Sequence, residues 1–458
     1  MDAIQENLID PISNILWTYV LVHVLLGTGL YFGVRTRLAQ VRLFGRMLRL
    51  VGSSRSGAEG GISSFQAFAI GLASRVGTGN IAGVAIALTL GGPGAVFWMW
   101  VVALVGMVTA LVESTLAQVF KVPAADGTFR GGPASHIERG LRSRAGGVLF
   151  AVLLIFTFGF SFNMVQANTI SSVLSEGHGV SAGWTALVLM ALTALVVFGG
   201  VRRIARVTEV VVPLMALAYV LLALVIVALN LTALGGVLSQ ILSAAFGVGE
   251  AAAGITGGIA AALLNGAKRG LFSNEAGMGS APNAAATATT SHPVKQGLVQ
   301  SFGVFVDTVV ICSATAFIIL SASPQVCAPG ADVGGASLTR SAVADQLGSG
   351  LTPVMTTLVF AFSSVLGNYA YAEVNMSFLR AGPVVLLVFR VLVVALVNLV
   401  AIVLLGKWAL GALRDYERQV RAGQDPVFRA VGNPDLPGDL PESVSAGEHV
   451  QAGTALDR

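Results

Sequence analysis

The chain has 458 residues, of which 55% are hydrophobic and only 11% are charged, and its formal net charge is +4. Soluble globular domains carry about 25% charged residues, so this composition excludes an ordinary soluble domain, because too few polar side chains exist to cover a surface exposed to water. The small net charge, with its basic residues in loops, favours orientation in a membrane over nucleic-acid binding.

Apolar stretches of roughly 20 residues recur along the chain, and each can cross a hydrocarbon core about 30 Å thick. They begin near residues 13, 64, 93, 148, 183, 207, 252, 297, 353 and 383. Backbone groups in lipid must bond internally, and the stretches lack the two-residue alternation of barrel strands, so we predict helices. The sequence therefore predicts an all-α polytopic membrane protein with about 10 transmembrane segments, whose partner is the lipid bilayer and not nucleic acid.

The positions of the basic residues predict the orientation of the first segment. An acidic N-terminal stretch without a visible cleavable signal precedes it, and a loop rich in arginine follows (Arg35, Arg37, Arg42, Arg46, Arg49 and Arg55). Cytoplasmic loops are enriched in Lys and Arg, so we expect this loop inside and the N-terminus outside. Later loops alternate: those at 121–144 and 202–206 are basic, whereas those near 176–182, 230–250 and 321–352 carry few cations.

The second apolar stretch contains the string ASRVGTGNIAG at residues 73–83. Two glycines around a threonine weaken a helix at mid-bilayer depth, and the backbone groups of an unwound turn are costly in lipid unless they bind something. The N-terminus of the following half-helix suits a substrate carboxylate, and freed carbonyls suit Na⁺. A glycine-rich packing face is the alternative interpretation.

A second interrupted helix is predicted around NGAKRGLFSNEAGMGSAPN at residues 265–283. Lys268, Arg269 and Glu275 would be costly facing lipid, so they suit a broken helix that lines a wet cavity or its cytoplasmic mouth. An ordinary cytoplasmic loop is the alternative. Two glycine-interrupted helices, one opening each half of the chain, indicate a transporter built from inverted repeats.

Isolated polar residues in apolar helices are further candidates. Asp307 is a carboxylate inside an apolar helix, and it is expected either to function in transport or to pair with a cation, for which Arg75 is the candidate. Gln166 and Asn168 either face a substrate or form hydrogen bonds between helices. Hydroxyls at mid-depth, those of Ser363 and Ser364, either face the pathway or bond back to the preceding helical turn.

The last apolar run, 383–413, conflicts with this scheme. At 1.5 Å per residue it is about 45 Å long, which exceeds one span, and Arg390 lies within it. A single crossing would place the basic residues that follow it outside, against the positive-inside rule, and two crossings would each be too short. Residues 414–458 are polar and rich in Pro, Gly and Asp, which predicts a solvated, disordered tail.

Signatures of enzymes and resident metals are missing from the sequence. No HExxH or GxSxG motif occurs, and the five histidines are scattered. Cys312 lies in an apolar helix and Cys327 in the following loop, so neither indicates a disulfide or a metal site. A transporter is therefore favoured over an intramembrane protease or lipase, and no cofactor is expected.

Five strings carry a family resemblance: VGTGNIAGVA, GGPGAVFWMW, FRGGPASHIERGL, GLFSNEAGMGSAPNAAA and SFGVFVDTVVICSATA. From about residue 13 to 413 the chain resembles the sodium:alanine (alanine/glycine:cation) symporter family. The resemblance implies a leucine-transporter-type fold of two inverted five-helix repeats with an extra N-terminal helix, 11 helices in the family. It places a transport domain at 1–413, with repeats at about 64–230 and 250–413, the second truncated, and a cytoplasmic tail at 414–458.

The resemblance also implies a site. The substrate-binding residues are expected to be Thr78, Gly79, Asn80, Gln166, Phe272, Ser273, Asn274 and Asn368. One Na⁺ is expected between the carbonyls of Ala73 and Val76 and the hydroxyls of Ser363 and Ser364. A second cation is expected near Asn80, Asp307 and Thr308.

Two departures from the family pattern stand out. Where the family often has LGW, this chain has Leu366-Gly-Asn368, which could widen or repolarise the pocket. Roughly one helix length is missing between Val384–Val397 and Asn398–Gly406, which coincides with the conflict in length and charge described above. The two broken helices are unaffected by this difference, but folding, dimer contacts or gating could be impaired.

The sequence thus predicts a Na⁺-coupled importer of small neutral amino acids, alanine and glycine, that works by alternating access. Its expected location is the bacterial cytoplasmic (inner) membrane, and its oligomeric state is not predicted. The alternatives are a proton-coupled amino-acid transporter using Asp307, a channel, an intramembrane enzyme, and a shortened variant with impaired transport.

Overall fold

The computed structural model describes residues 10–55, 61–124, 127–178, 182–197, 200–247, 258–323, 335–348, 352–379, 414–424, 426–428 and 433–436. In chain order the helices are α1 (Pro11–Arg35), α2 (Ala39–Arg42), α3 (Phe44–Ser53), α4 (Ser64–Arg75), α5 (Gly79–Gly91), α6 (Gly94–Val119), α7 (Pro133–Gly140), α8 (Arg144–Leu154, continued by Ile155–Phe162 and Asn163–His178), α9 (Ala182–Val197), α10 (Gly200–Leu229), α11 (Leu231–Ala245), α12 (Gly258–Asn274), α13 (Ala281–Thr287), α14 (Pro293–Leu320), α15 (Gly335–Leu347), α16 (Thr352–Leu379) and α17 (414–421). Strands β1 (Val122–Pro123) and β2 (Phe129–Arg130) form an antiparallel pair.

Five helices in the described part of the chain are long and apolar enough to cross a membrane: α1, α6, α8, α10 and α14. Helices α4 and α5 together make a sixth, bent by 49° at its break. These spans confirm the prediction of an all-α polytopic membrane protein, whereas the total of ten segments and the repeat architecture stay predictions. The conflicting run at 383–413 and Cys327 lie outside the described residues.

The bundle has a buried centre and a lipid-facing periphery. Helices α6 and α14 are the most buried of the candidate spans, and α10 is the least buried. Large apolar side chains of α10, such as Leu214 and Leu221, are exposed, as expected for a helix that faces lipid. Helix α6 packs closely against α12, because a Cβ on Gly266 would stand 2.8 Å from Trp98 Cβ, and small residues permit such approach between membrane helices.

Local signals in the sequence explain where the central helices begin. A reciprocal capping box starts α4, in which Ser63 Oγ accepts from Gln66 N at 3.1 Å and Gln66 Oε1 accepts from Ser63 N at 2.9 Å. Helix α14 begins at Pro293 after His292, whose Nδ1 accepts from Val294 N at 3.2 Å. Both helix starts therefore have their free N–H groups partly satisfied by neighbouring side chains.

A second break separates α12 from α13. Glu275 has a φ of 56°, and Gly277 and Gly279 have φ values of 85° and 78°. Left-handed backbone is disfavoured for residues other than glycine, so this string is suited to a turn between two half-helices. The parallel bridge between Ile62 and Ala288 places the start of α4 beside the end of α13.

The described residues at 414–424 include side chains packed against the rest of the protein, and the solvated tail predicted for 414–458 stays a prediction for the remainder. Asp415 and Tyr416 of α17 are buried. Asp415 Oδ2 lies 3.1 Å from His292 Nε2, and Glu417 pairs with Arg42 at 2.8 Å. This part of the tail therefore lies on the same face as the arginine-rich loop after α1.

The His292–Asp415 pair is defined by its hydrogen bonds. Because His292 Nδ1 accepts a backbone N–H, Nε2 carries the ring proton of the neutral imidazole and donates it to Asp415. Burial lowers the pKa of His292, and Asp415 partly opposes this effect. Burial acts to raise the pKa of Asp415, but bonds from His292 and Gln419 outweigh it and lower that pKa to about 2. The docked contact thus favours neutral His292 and ionised Asp415.

Candidate functional site

The break between α4 and α5 brings several predicted site residues together. Gly77 N donates to Asn80 Oδ1 at 2.9 Å, and Thr78 N donates to Gln166 Oε1 at 3.2 Å. Ser364 Oγ lies 3.3 Å from Val76 O. The backbone groups released by the break are therefore satisfied by side chains from α5, α8 and α16, and a ligand that binds these groups must replace those bonds.

Glycine is required at this break because neighbouring helices approach it closely. A Cβ on Gly77 would overlap Ser364 Oγ and would stand 3.2 Å from Gln166 Oε1. A Cβ on Gly79 would stand 3.1 Å from Ser273 Cα. The glycines thus have two roles. They weaken the helix, as the sequence suggests, and they also allow α12 and α16 to approach the break closely.

Thr78 has an unusual hydroxyl. The residue is only 4% exposed, and its Oγ1 has no hydrogen-bond partner in the described part of the chain. Buried polar side-chain atoms in native proteins nearly always have a partner. An unsatisfied hydroxyl beside a broken helix is therefore a feature that a bound polar ligand would explain.

Asp307 is fully buried on α14 and is surrounded by neutral donors. Its Oδ1 accepts from Asn80 Nδ2 at 2.7 Å, and its Oδ2 accepts from Ser273 Oγ at 3.0 Å and from Thr308 Oγ1 at 2.8 Å. Helix α14 has a π-helical turn at Phe305–Cys312, which contains Asp307 and Thr308, and such turns are frequent at functional sites. This arrangement brings predicted residues of α5, α12 and α14 into contact.

The expected pair of Arg75 with Asp307 is not a direct contact. Arg75 Nη1 donates to Gln300 O at 3.1 Å, and its Nε and Nη2 have no partner among the described residues. The guanidinium interacts with Asp307 and Glu275 only electrostatically at longer range. No cationic side chain of the described residues therefore contacts Asp307.

Asn80 presents its nitrogen to Asp307, which bears on the expected cation site. Because Gly77 N can only donate, Asn80 Oδ1 must face it, and the Nδ2 group then faces Asp307. An oxygen-seeking cation would meet the carboxylate and the hydroxyls of Ser273 and Thr308 here. Asn80 could contribute its oxygen only after the Gly77 bond is released.

The two serines of α16 differ in their surroundings. Ser364 Oγ lies 3.3 Å from Val76 O and 3.2 Å from Phe360 O, and its single hydrogen can go to only one of them. Ser363 Oγ donates to Phe360 O at 2.9 Å and lies 3.4 Å from Met215 Sδ. Both hydroxyls are thus within reach of the back-bonding that the sequence left open, and only that of Ser364 also reaches the helix break. Ala73 is buried on the last turn of α4 before the break.

The remaining predicted substrate residues separate into different surroundings. The Phe272 ring stacks on Phe162 at 5.0 Å, and Ser273 contacts Asp307. Asn274 points elsewhere: its Oδ1 accepts from Ala276 N at 3.0 Å and faces Gly106 of α6. On α8, Gln166 is buried and reaches Thr78, whereas Asn168 is exposed.

Asn368, a predicted substrate residue, lies in a second polar cluster, whose meeting of Asn368 with Glu275 the sequence did not predict. Ser74 Oγ lies 2.6 Å from Asn368 Oδ1 and 2.8 Å from Glu275 Oε1, and only one of them can accept its single hydrogen. Asn368 Nδ2 donates to Asn163 Oδ1 at 3.1 Å, and Glu275 Oε2 accepts from Ser280 at 2.5 Å. The positive φ of Glu275, a non-glycine residue in a glycine-rich string, is the feature that could have indicated this cluster.

No group of three or more His, Cys, Asp or Glu side chains that could hold a metal ion occurs within the described residues. Cys312 is a buried free thiol, and its Sγ lies 3.3 Å from Asn80 Nδ2. The polar groups at the break are carboxylate, hydroxyl and carbonyl oxygens, which are hard ligands suited to alkali and alkaline-earth cations more than to transition metals.

Comparisons with known proteins agree with this architecture. The family model of the sodium:alanine symporter family matches residues 1–398. The probable sodium/glutamine symporter GlnT of Bacillus subtilis is 45% identical over 458 residues, which cover 93% of this chain and 94% of GlnT. The amino-acid carrier protein AlsT of Bacillus subtilis is 45% identical, covering 95% and 97%, and the sodium/alanine symporter AgcS of Methanococcus maripaludis is 39% identical, covering 80% and 82%. These relatives are transporters and not enzymes, and the chain belongs to the sodium:alanine symporter family, a family of amino-acid and cation symporters.

Proposed function

We propose that the chain is a Na⁺-coupled symporter that imports small neutral amino acids, alanine and glycine, by alternating access. The observation that carries the proposal is the buried hydroxyl of Thr78, which lacks a partner among the described residues at a helix break whose Asn80 contacts Asp307. No cationic side chain in the described part of the chain contacts that carboxylate. Amino acid and cation would supply the missing partners of these two groups.

In this proposal, the substrate carboxylate binds at the start of α5, where the helix dipole and the N–H groups near Thr78 and Gly79 favour an anion. Gln166 releases Thr78 N when the substrate binds, and Phe272 closes the apolar side of the pocket. The close approach of Gly79 to Ser273 leaves little room there, which favours small substrates.

Na⁺ would bind oxygen ligands on both sides of the break. Val76 O and Ser364 Oγ already lie 3.3 Å apart, and the carbonyl of Ala73 and the hydroxyl of Ser363 complete the proposed set after local rotation. Asp307, with Thr308, would hold a second cation that balances the buried carboxylate, since an isolated charge in an apolar medium is costly.

The proposed architecture is the leucine-transporter-type pair of inverted five-helix repeats, at about 64–230 and 250–413, preceded by α1. The bridge from Ile62 to Ala288 supports it, because it sets the start of one broken helix against the end of the other. We place the protein in the bacterial inner membrane, with the N-terminus outside and the arginine-rich loop inside. A shortened second repeat with impaired transport stays an alternative prediction.

Glutamine is a second candidate substrate. Asn368, Asn163 and Ser74 form a polar cluster next to Glu275 where the family often carries Trp, and side-chain amides of this kind suit a carboxamide. GlnT, named as a probable sodium/glutamine symporter, is 45% identical. An Asn368→Trp variant that lost glutamine uptake but retained alanine uptake would support this choice.

Uptake into proteoliposomes tests the proposal. We expect saturable uptake of labelled alanine or glycine that requires an inward Na⁺ gradient, and the same assay with glutamine compares the candidates. Uptake that is driven by a pH gradient without Na⁺, and that is lost in Asp307→Asn, would show that the coupling ion is a proton and not Na⁺. Ion conductance without amino-acid uptake would refute a symporter.

A further inference from the structure

A cavity of about 600 Å³ lies on the face that carries the arginine-rich loop, away from the helix breaks. Its walls come from α3, the first residue of α4, the loop that precedes α14, the first turns of α14, and the packed segment that includes α17. The volume falls in the usual range for small-molecule sites, about 300–1,000 Å³. The proposed transport function does not use this cavity.

The described residues on the cavity wall carry charges of one sign. Arg46, Arg49 and Lys295 line it, and no Asp or Glu occurs among the described lining residues. Arg46 and Arg49 make no hydrogen bond or ion pair within the described part of the chain, whereas Lys295 Nζ donates to Ser291 Oγ at 2.9 Å. Two unpaired guanidinium groups thus share one concave site with an ammonium group.

Nearby carboxylates are already engaged by other cations. Glu417 pairs with Arg42 at 2.8 Å and Arg421 at 3.5 Å. Asp415 bonds to His292 and pairs with Arg418 at 2.7 Å. Among the described residues, the guanidinium groups of Arg46 and Arg49 are therefore left without a counter-ion in direct contact.

Hydroxyl groups complete the lining. Six of them belong to lining residues: Ser53, Ser54, Ser64, Thr289, Thr290 and Ser291. Ser64 is also the first residue of α4, a helix of 12 residues whose N-terminus contributes partial positive charge. Guanidinium groups, an ammonium group, hydroxyls and a helix N-terminus are the donors that bind phosphate oxygens.

We propose that this cavity binds a phosphate-bearing anion, carried either by a soluble phosphate compound or by the headgroup of an anionic phospholipid. The bound anion joins α3 and α14 to the segment containing α17, because each of these elements contributes to the wall. Binding therefore stabilises the docked tail. This site is independent of the proposed transport function, since none of its residues lies at the breaks.

The competing explanation is a solvated basic face of the kind that the positive-inside rule produces. The chain offers a matched control for it: Arg203 and Arg206 are exposed cations near the start of α10 that do not line the cavity. If anion binding depends only on general positive charge, both sets of substitutions should weaken it equally. If the cavity is a built site, only the substitutions of its lining residues should weaken binding.

The test uses the purified full-length protein in two arms. In the first, inorganic pyrophosphate is titrated at constant ionic strength, with binding measured by calorimetry and thermal unfolding. In the second, thermal unfolding and lipid retention by native mass spectrometry are compared in phosphatidylcholine nanodiscs with and without phosphatidylglycerol. Each arm compares the unsubstituted protein with the cavity variant Arg46→Gln/Arg49→Gln/Lys295→Gln and with the control variant Arg203→Gln/Arg206→Gln. The single variant Arg49→Gln, at an exposed position, is included in case the triple variant does not fold.

We expect saturable binding in at least one arm, weakened about tenfold or more in the triple variant, measurably in Arg49→Gln, and not in the Arg203/Arg206 control. Binding of pyrophosphate assigns the site to a soluble phosphate compound, and an effect confined to phosphatidylglycerol assigns it to lipid. The proposal is overturned if neither probe binds the unsubstituted protein, or if the control variant loses as much binding as the cavity variants.

Discussion

Replacing Gly77 by Ala tests the packing of the helix break directly. The new methyl group would overlap Ser364 Oγ, and would stand 3.0 Å from Ser364 Cβ and 3.2 Å from Gln166 Oε1. Ser364 would have to rotate away from Val76 O, and Gln166 from Thr78 N. Overpacking of a filled interior costs about 1–3 kcal/mol, and each lost neutral hydrogen bond costs roughly 1 kcal/mol more.

The matched control is Gly83→Ala, because Gly83 lies on α5 just beyond the break and has no neighbouring atom within 4 Å of the added Cβ. That substitution should be neutral or stabilising by up to about 1 kcal/mol, since alanine is the better helix former. The assays are thermal unfolding in detergent and Na⁺-dependent uptake into proteoliposomes. We expect Gly77→Ala to lower both the unfolding midpoint and the uptake, and Gly83→Ala to lower neither.

A compensating substitution separates steric overlap from other causes. Ser364→Gly removes the side chain that the new methyl group meets, so the double variant Gly77→Ala/Ser364→Gly should recover much of the stability. It should not recover Na⁺ dependence, because the hydroxyl proposed as an ion ligand is gone. Equal midpoints and uptake for Gly77→Ala and Gly83→Ala would refute the reasoning.

Three further predictions concern the cation, the substrate and the tail. Asp307→Asn keeps the size of the side chain but removes its charge, so we expect the Na⁺ concentration for half-maximal uptake to rise about tenfold or more; an unchanged Na⁺ dependence would exclude Asp307 as an ion ligand. Gln166→Ala should raise the KM for the amino acid up to about tenfold, because the substrate loses the side-chain amide that we propose faces it once Thr78 N is released. Asn168→Ala, at an exposed position of the same helix, should not raise the KM; equal effects would place Gln166 outside the binding site. Acidification from neutral pH should loosen the helix at 414–421, because the undocked segment leaves His292 free to take up a proton near its usual pKa of about 6.5, which the docked state disfavours. The protection factors of the amides at 414–421, which correct the exchange rates for their intrinsic pH dependence, should therefore fall as the pH drops below about 6.5. They should fall further as the pH drops from about 3.9 towards about 2 and Asp415 protonates. His292→Gln should remove the first step, and protection factors that do not depend on pH would contradict this account.

The sequence alone determined the properties that depend on local patterns. Hydropathy over about 20 residues indicated where the spans start, because each helix must present an apolar surface to lipid along its own length. The nine predicted starts up to residue 353 each fall within seven residues of a helix start in the structure. The glycines of residues 73–83 indicated the break, because backbone freedom is a property of the residue itself.

Only the tertiary structure decided which polar groups meet. Arg75 bonds to Gln300 and not to Asp307, Asn274 faces α6, and the packed tail reaches His292. These partners are more than 100 residues apart in all three cases, so no local periodicity encodes them. A polar group buried in lipid must find a partner, but which partner it finds depends on how the helices pack, and that is set by the whole bundle.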